Sequence, residues 1–462
     1  MLKLPVLGSF LRSRWGRLSV QLALLLVAAL LVYDGLTGPQ LAPRNTATVL
    51  SWVHFRGLLI LGLLLVGNVF CFACPFALPR SIALRLSSAG FRWPKRLRNK
   101  WISVSTLLLI FWLYEWLDLW ASPWLTAWIV VAYFAASFIL EAAFSESAFC
   151  KYVCPLGAFN FTLSTSSPLQ IQAKNQTVCL DCVGKECVNG ASNVLGCGTE
   201  LFVPTIKSNM DCTFCLDCAR ACPYDNVQLA TRRPLGELIS SSWPARWDVS
   251  FLAFAVAFLG LWNAFGMVPP VYTLDRWISQ ALSIDAEGVR LLIIFTLGAL
   301  VLPGLLLLIS TSISHKIGAG NRKRRVETAA AYAPAIVPLG LGIWLAHYGF
   351  HLAIGGLTIV PVLQAFLLDH GVSILGSNPD WSLGFLMPLA WIFPIQILSI
   401  MVGFLASLSV LSKIAFKQSI QPVLALKEIL PWSLVFLGLT ISVLYVFGLP
   451  MEMRGTILLT VP

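Results

Sequence analysis

Charge is what this chain has least of. Only 11% of its 462 residues are charged, against 57% hydrophobic, and the mean hydropathy is +0.79. That composition excludes a soluble single-core protein and a disordered one. No cysteine follows position 222, although the remainder is largely apolar sequence in which a small hydrophobe would pack. No Walker loop, dinucleotide fingerprint, Ser/His/Asp arrangement or zincin motif is present. Absence of C-x-x-C-H excludes a covalent c-type haem on this chain. Acids are the scarcer sign, 21 against 32 bases, for a net charge of +11. The bases sit in short loops at the ends of apolar runs, which argues for anionic lipid as the partner and against nucleic acid.

What is present is a series of long apolar runs. A crossing helix needs roughly 20 apolar residues. Nine runs are expected to cross, at about 18–33, 50–70, 101–118, 124–144, 249–268, 289–311, 331–350, 383–411 and 430–449. The first is expected to remain as a helix, since residues 34–39 (DGLTGP) offer no small-x-small cleavage site. Bases alternate from loop to loop. Lys3, Arg12, Arg14 and Arg17 precede the first run. Arg80, Arg85, Arg92, Lys95, Arg96, Arg98 and Lys100 follow the second. Lys316, Arg322, Lys323, Arg324 and Arg325 follow the sixth, and Lys413, Lys417 and Lys427 the eighth. The intervening loops are almost free of bases. The positive-inside rule then places the N-terminus and residues 145–247 in the cytoplasm of a bacterial inner-membrane protein.

All twelve cysteines lie between 71 and 222, at or near these cytoplasmic positions. Cys212-Thr-Phe-Cys215-Leu-Asp-Cys218-Ala-Arg-Ala-Cys222-Pro223 has the bacterial ferredoxin spacing C-x2-C-x2-C-x3-C-P. In that arrangement three thiolates grip one [4Fe–4S] cluster and the fourth, before Pro, ligates the other. Upstream stand Cys179, Cys182, Cys187 and, after nine residues, Cys197. The crossed assignment gives Cys179, Cys182, Cys187 and Cys222 to one cluster, and Cys212, Cys215, Cys218 and Cys197 to the other. Disulfides do not suit a reducing compartment, and the tandem spacing is a poor zinc pattern.

Four cysteines remain, in two similar settings. Cys71-Phe-Ala-Cys74-Pro75 ends the second run, and Cys150-Lys-Tyr-Val-Cys154-Pro155 ends the fourth. Residues 18–80 and 101–160 therefore read as two copies of a helix–helix–Cys-Pro unit that brings four thiols to one membrane surface. Three roles are open for them: ligands of a third cluster, ligands of another metal, or redox-active dithiols. The two Cys-Pro motifs, with a dicluster insert just after the second, resemble the NosR/NapH/CcoG-type membrane polyferredoxins over about 50–235. Cys150/Cys154 match that family's usual C-x3-C-P, while Cys71/Cys74 are one residue shorter. The resemblance implies electron transfer at the cytoplasmic membrane, in some members from quinol, and in others service to metal-site maturation or to a periplasmic reductase.

The five histidines fall mostly in the cysteine-free helices. His347 and His351 are one turn apart and share a helix face, a spacing that can chelate one metal. Haem b needs ligands from opposite sides, so either would have to pair with His54 or His370; a copper or haem centre is weighed here against simple interface packing. Carboxylates inside membranes are costly and often functional. Glu115 and Asp118 lie at one helix end, and Glu141 lies near the second Cys-Pro motif. Glu141 is the candidate proton acceptor of a quinol site, set against a carboxylate snorkelling to water. Arg56 is expected to snorkel likewise.

The expected fold is an all-α polytopic membrane protein of about nine helices with a small cytoplasmic α+β dicluster ferredoxin insert. Residues 1–169 form a four-helix membrane domain, 170–232 the two-[4Fe–4S] insert, and 233–462 a membrane domain of about five helices. The expected function is an oxidoreductase-type electron carrier between quinol, or a cytoplasmic donor, and a redox partner, as a subunit of a respiratory complex. Residues 351–382, with aromatics and no Lys or Arg, are a dock for an extracytoplasmic cytochrome or reductase. The alternative is a metal-centre maturation factor of cupric-reductase type; a transporter has least support.

Overall fold

A computed structural model describes residues 5–80, 90–192, 194–240, 243–318, 324–419 and 421–451. Of the bases used for orientation, Lys3, Arg85, Arg322 and Lys323 lie outside the described residues. The described chain is mostly helical, with one two-stranded sheet. In chain order the principal helices are α1 (Arg14–Thr37), α2 (Thr46–Leu65), α3 (Val69–Ala73), α4 (Trp101–Trp116), α5 (Pro123–Ala143) and α6 (Pro155–Leu163). They continue as α7 (Trp247–Phe265), α8 (Pro270–Leu282), α9 (Glu287–Ile317), α10 (Arg325–Gly355), α11 (Ile359–Asp369), α12 (Leu389–Gln418) and α13 (Pro422–Phe447).

All nine expected runs become helices, but only eight, among the described residues, are long and apolar enough to cross a membrane. The run at 101–118 falls short as α4, with 16 residues. It stops at Trp116 because the chain turns through Asp118, whose φ of +44° no helix can hold. Several helices begin with proline at the first position (α5, α6, α8 and α13), where its missing N–H costs nothing.

The chain forms two compact units. The first comprises residues 1–33, 62–103 and 127–237. Within it, β1 (Leu169–Ala173) pairs antiparallel with β2 (Val227–Thr231), with Ile171 opposite Leu229. Alternate residues of these strands face inward, as a half-buried sheet requires. Leu169, Ile171, Val227 and Leu229 share a core with Phe214 and Leu216, and with Phe72 and Ala73 of the first Cys-Pro segment. One apolar core thus supports both kinds of cysteine motif.

The second unit comprises residues 34–61, 104–126 and 238–462. Its central helices are α10, 94% buried over its apolar window, and α7, 83% buried, whereas only 22% of α12 is covered. Glycines let α10 and α12 approach closely: a Cβ at Gly342 would lie 2.5 Å from Ser399 O, and one at Gly403 2.7 Å from Pro338 O.

Ile171 is 1% exposed at the centre of the first unit's core. Ile171→Ala should cost about 2–5 kcal/mol. A lower thermal midpoint, with faster proteolysis within 169–231, is the expected result; an unchanged midpoint would mean the sheet does not support this core.

Candidate functional site: three groups of four thiols

The ferredoxin-type loops are shaped by strained backbone. Asp211, Phe214 and Leu216 all adopt left-handed φ, at +66°, +54° and +60°, although none is glycine. Alternation of this kind turns successive N–H groups into one concavity, a nest for an anion. Each such residue costs about 1–2 kcal/mol. Lys185 does the same in the upstream loop, at +47°.

Cys179, Cys182, Cys187 and Cys222 line one small pocket, walled by Val203, Pro223 and Val227. Asn226 serves it twice. Its Nδ2 donates to Cys179 Sγ at 3.1 Å and its backbone N–H to Cys222 Sγ at 3.4 Å. Cys197, Cys212, Cys215 and Cys218 form a second group, close enough that each of the last three feels the charge of Cys197. Leu201 N–H donates to Cys197 Sγ at 3.4 Å. Each group brings together four of the eight ferredoxin-type cysteines.

The Cys-Pro segments reach the same end by different windings. α3 winds Val69–Ala73 as ordinary helix, and the chain turns out at Cys74 with φ −59° and ψ +119°. Phe149–Val153 winds as a π-helical turn, and Cys154 leaves it at φ −61° and ψ +115°. Cys154 N–H donates to Phe149 O, five residues back, at 2.7 Å. A π turn absorbs one extra residue. The one-residue difference in spacing is therefore taken up in the winding, and both Cys-Pro exits have the same backbone conformation.

Cys71, Cys74, Cys150 and Cys154 all line a single chamber of about 580 Å³. Cys215 reaches its edge, and so do Arg14, Arg17 and Arg80. Asn160, buried, donates from Nδ2 to Cys71 Sγ at 3.5 Å, and Gly157 N–H donates to Cys154 Sγ at 3.2 Å. Burial pushes the Cys71 thiol up to about 11, and those of Cys154 and Cys215 up to about 12. Burial and the neighbouring thiols raise Cys74 and Cys150 further. Alone, these groups stay protonated; a metal core would supply the charge that thiolates need.

The spread of the thiols bears on which core. Among the described residues no three His, Cys, Asp or Glu side chains converge tightly enough to hold one metal ion. A lone zinc needs four sulfurs each about 2.3 Å from one point. A cubane puts each sulfur on its own iron and takes a wider set. Four cysteine thiols in each group are the donor set that such a core takes, one sulfur to each iron.

Glu141 does not snorkel. It is buried at 2% exposure, its Oε2 is 3.3 Å from Arg80 Nη1, and Ser147 Oγ donates to its Oε1 at 2.9 Å. Arg80 and Ser147 both line the chamber, so Glu141 stands one residue behind its wall. Arg17, Arg80, Asn160 and Asn226 were not singled out by sequence; only the spacing of Asn160 and Asn226 from the Cys-Pro motifs hinted at them.

The histidines do not assemble. His347 Nε2 and His351 Nε2 face each other at 3.3 Å on α10. The ring nitrogens of His54 lie near two backbone carbonyls, Val49 O at 3.1 Å and Gly356 O at 2.9 Å, and a neutral ring donates to one of them. His370 Nδ1 bonds Phe366 O, at an exposed helix end. Arg56 is 7% exposed and boxed by the rings of Trp52, Tyr114 and Tyr348 at 4.4, 4.2 and 5.0 Å, where their π faces hold the charge in place of water.

No protein-family model matches the chain, and no solved structure matches it. Over 134 residues it is 27% identical to a protein of Escherichia coli (strain K12), YccM, whose name describes it as a candidate electron transport protein. The match covers 27% of this chain and 36% of that relative, so the chain spans about a third of its length.

N–H···S bonds stabilise the reduced, more negative state of a thiolate-ligated cluster. Asn226→Leu should lower the midpoint potential of one centre by about 60 mV, roughly a tenfold loss in its reduction equilibrium. Redox titration followed by EPR reads it; an unmoved potential would detach Asn226 from the site.

Proposed function

We propose that this chain is a membrane electron carrier whose twelve cysteines hold three iron–sulfur clusters in series. Cys179, Cys182, Cys187 and Cys222 hold the first, and Cys197, Cys212, Cys215 and Cys218 the second. Cys71, Cys74, Cys150 and Cys154 hold the third. The observation that carries this reading is the gathering of twelve thiols into three groups of four within one compact unit. Cys71 contributes to the charge felt by Cys212, which links the second group to the third. Each cluster would pass one electron at a time.

The chamber is the entry in this reading. A quinol oxidised there loses two electrons and two protons. Glu141, joined to the chamber wall by Ser147 and Arg80, takes one proton, and solvent at the chamber mouth takes the other. Electrons leave singly along the thiol groups toward a redox partner. The reading includes a larger respiratory complex in a bacterial inner membrane, with the ferredoxin-type loops on the cytoplasmic side, as the distribution of bases suggests.

Cys150→Ser/Cys154→Ser should keep the two ferredoxin-type signals under dithionite. It should lose their reduction by a reduced quinone in detergent by about a hundredfold or more, the order expected when a relay is removed from a path. Reduction by quinol at the parental rate would take the membrane thiols off the path.

A further inference from the structure

Near the start of α1, Arg17 and Gln21 stand one turn apart and share a helix face. Gln21 Nε2 donates to Cys74 O at 3.0 Å, and Arg17 Nε donates to Phe72 O at 3.1 Å. Both side chains therefore hold the backbone of the first Cys-Pro segment. Arg17 Nη1 also donates to Asp217 Oδ2 at 2.9 Å. Asp217 lies between Cys215 and Cys218 in the ferredoxin-type loop. One guanidinium thus ties together the loops that carry two different thiol groups.

Its charge is not fully spent. Asp217 is shared with Arg220, so these two cations and one anion leave one net positive charge. Arg17 lines the chamber beside Cys74 and Cys215, and its side chain is only 16% exposed. Water screens a charge weakly in such a place.

We propose that Arg17 is a positioning residue that sets the potentials of two redox centres together, the one at Cys71/Cys74/Cys150/Cys154 and the one at Cys197/Cys212/Cys215/Cys218. This rests on the three-cluster reading. A fixed positive charge between two centres favours the reduced state of both. The repulsion between electrons on the two centres is independent of Arg17, whose charge raises both potentials together. The remaining group, at Cys179/Cys182/Cys187/Cys222, lines a separate pocket that does not include Arg17.

The test is redox titration with EPR on the full-length protein, comparing Arg17→Gln and Arg17→Lys. In Arg17→Gln the reduction equilibria of two centres should fall about tenfold each, about 59 mV for a one-electron couple. The centre at Cys179 should not move and serves as the internal control. Arg17→Lys keeps the charge and loses the forked contacts, so its potentials should stay within about threefold of the parent. Should Arg17→Gln fail to assemble its clusters, the lysine variant still decides: potentials near the parent support the charge role, and a tenfold loss refutes it. Equal shifts at all three centres would refute it too. About twelve irons per parental chain with no shift in Arg17→Gln overturns the role of Arg17 alone. About eight irons overturns the three-cluster reading and the shared half of this proposal with it.

Discussion

Four thiolates cannot share a buried chamber without a cation among them. Each sulfur that loses its proton there gives up hydration, and each raises the cost for the next. Cys71, Cys74, Cys150 and Cys154 face this together, and burial holds all four thiols protonated on their own. The rest of the first unit can be understood as an arrangement for meeting that cost. Guanidiniums of Arg17 and Arg80 stand at the wall. Amides of Asn160 and Gly157 point at sulfur. Left-handed residues around Cys212 and Cys215 turn backbone N–H groups inward at a local cost in strain, which the apolar core of β1, β2 and Phe214 offsets.

The two Cys-Pro segments show how a repeat survives a change of length. An extra residue in a helix end would normally rotate everything beyond it by about 100°. Here the extra residue of the second copy is wound into a π turn, and Cys74 and Cys154 exit with matching dihedrals. The pair of spacings that looked unequal in sequence is equivalent where it matters, at the proline-led exit that aims the sulfur.

Much of this was legible in the sequence. Nine apolar runs are nine helices, of which eight are long and apolar enough to cross among the described residues, α4 being too short. The spacing reads the eight ferredoxin-type cysteines as two crossed sets of four, and Cys179, Cys182, Cys187 and Cys222 line one pocket. What was hidden depended on tertiary neighbours. Nothing local marks α4 as ending at Trp116. Glu141 read as a proton acceptor or as a carboxylate reaching for water, and Arg56 as a side chain reaching for water; an ion pair with Arg80 holds the first, and an aromatic box built from three separate segments holds the second. His54 looked available to a metal, and nothing local showed that backbone carbonyls 5 and 302 residues away lie beside its ring nitrogens. Arg17 counted only as one basic residue among several before the first apolar run.

The central claim is that all twelve cysteines are ligands, and the most direct test is iron and acid-labile sulfide per chain in anaerobically purified protein. The account predicts about twelve irons and as many sulfides, four of each per cubane. About eight would leave the membrane thiols outside the cluster chain. Little iron with abundant zinc, in protein never exposed to air, would contradict the account altogether.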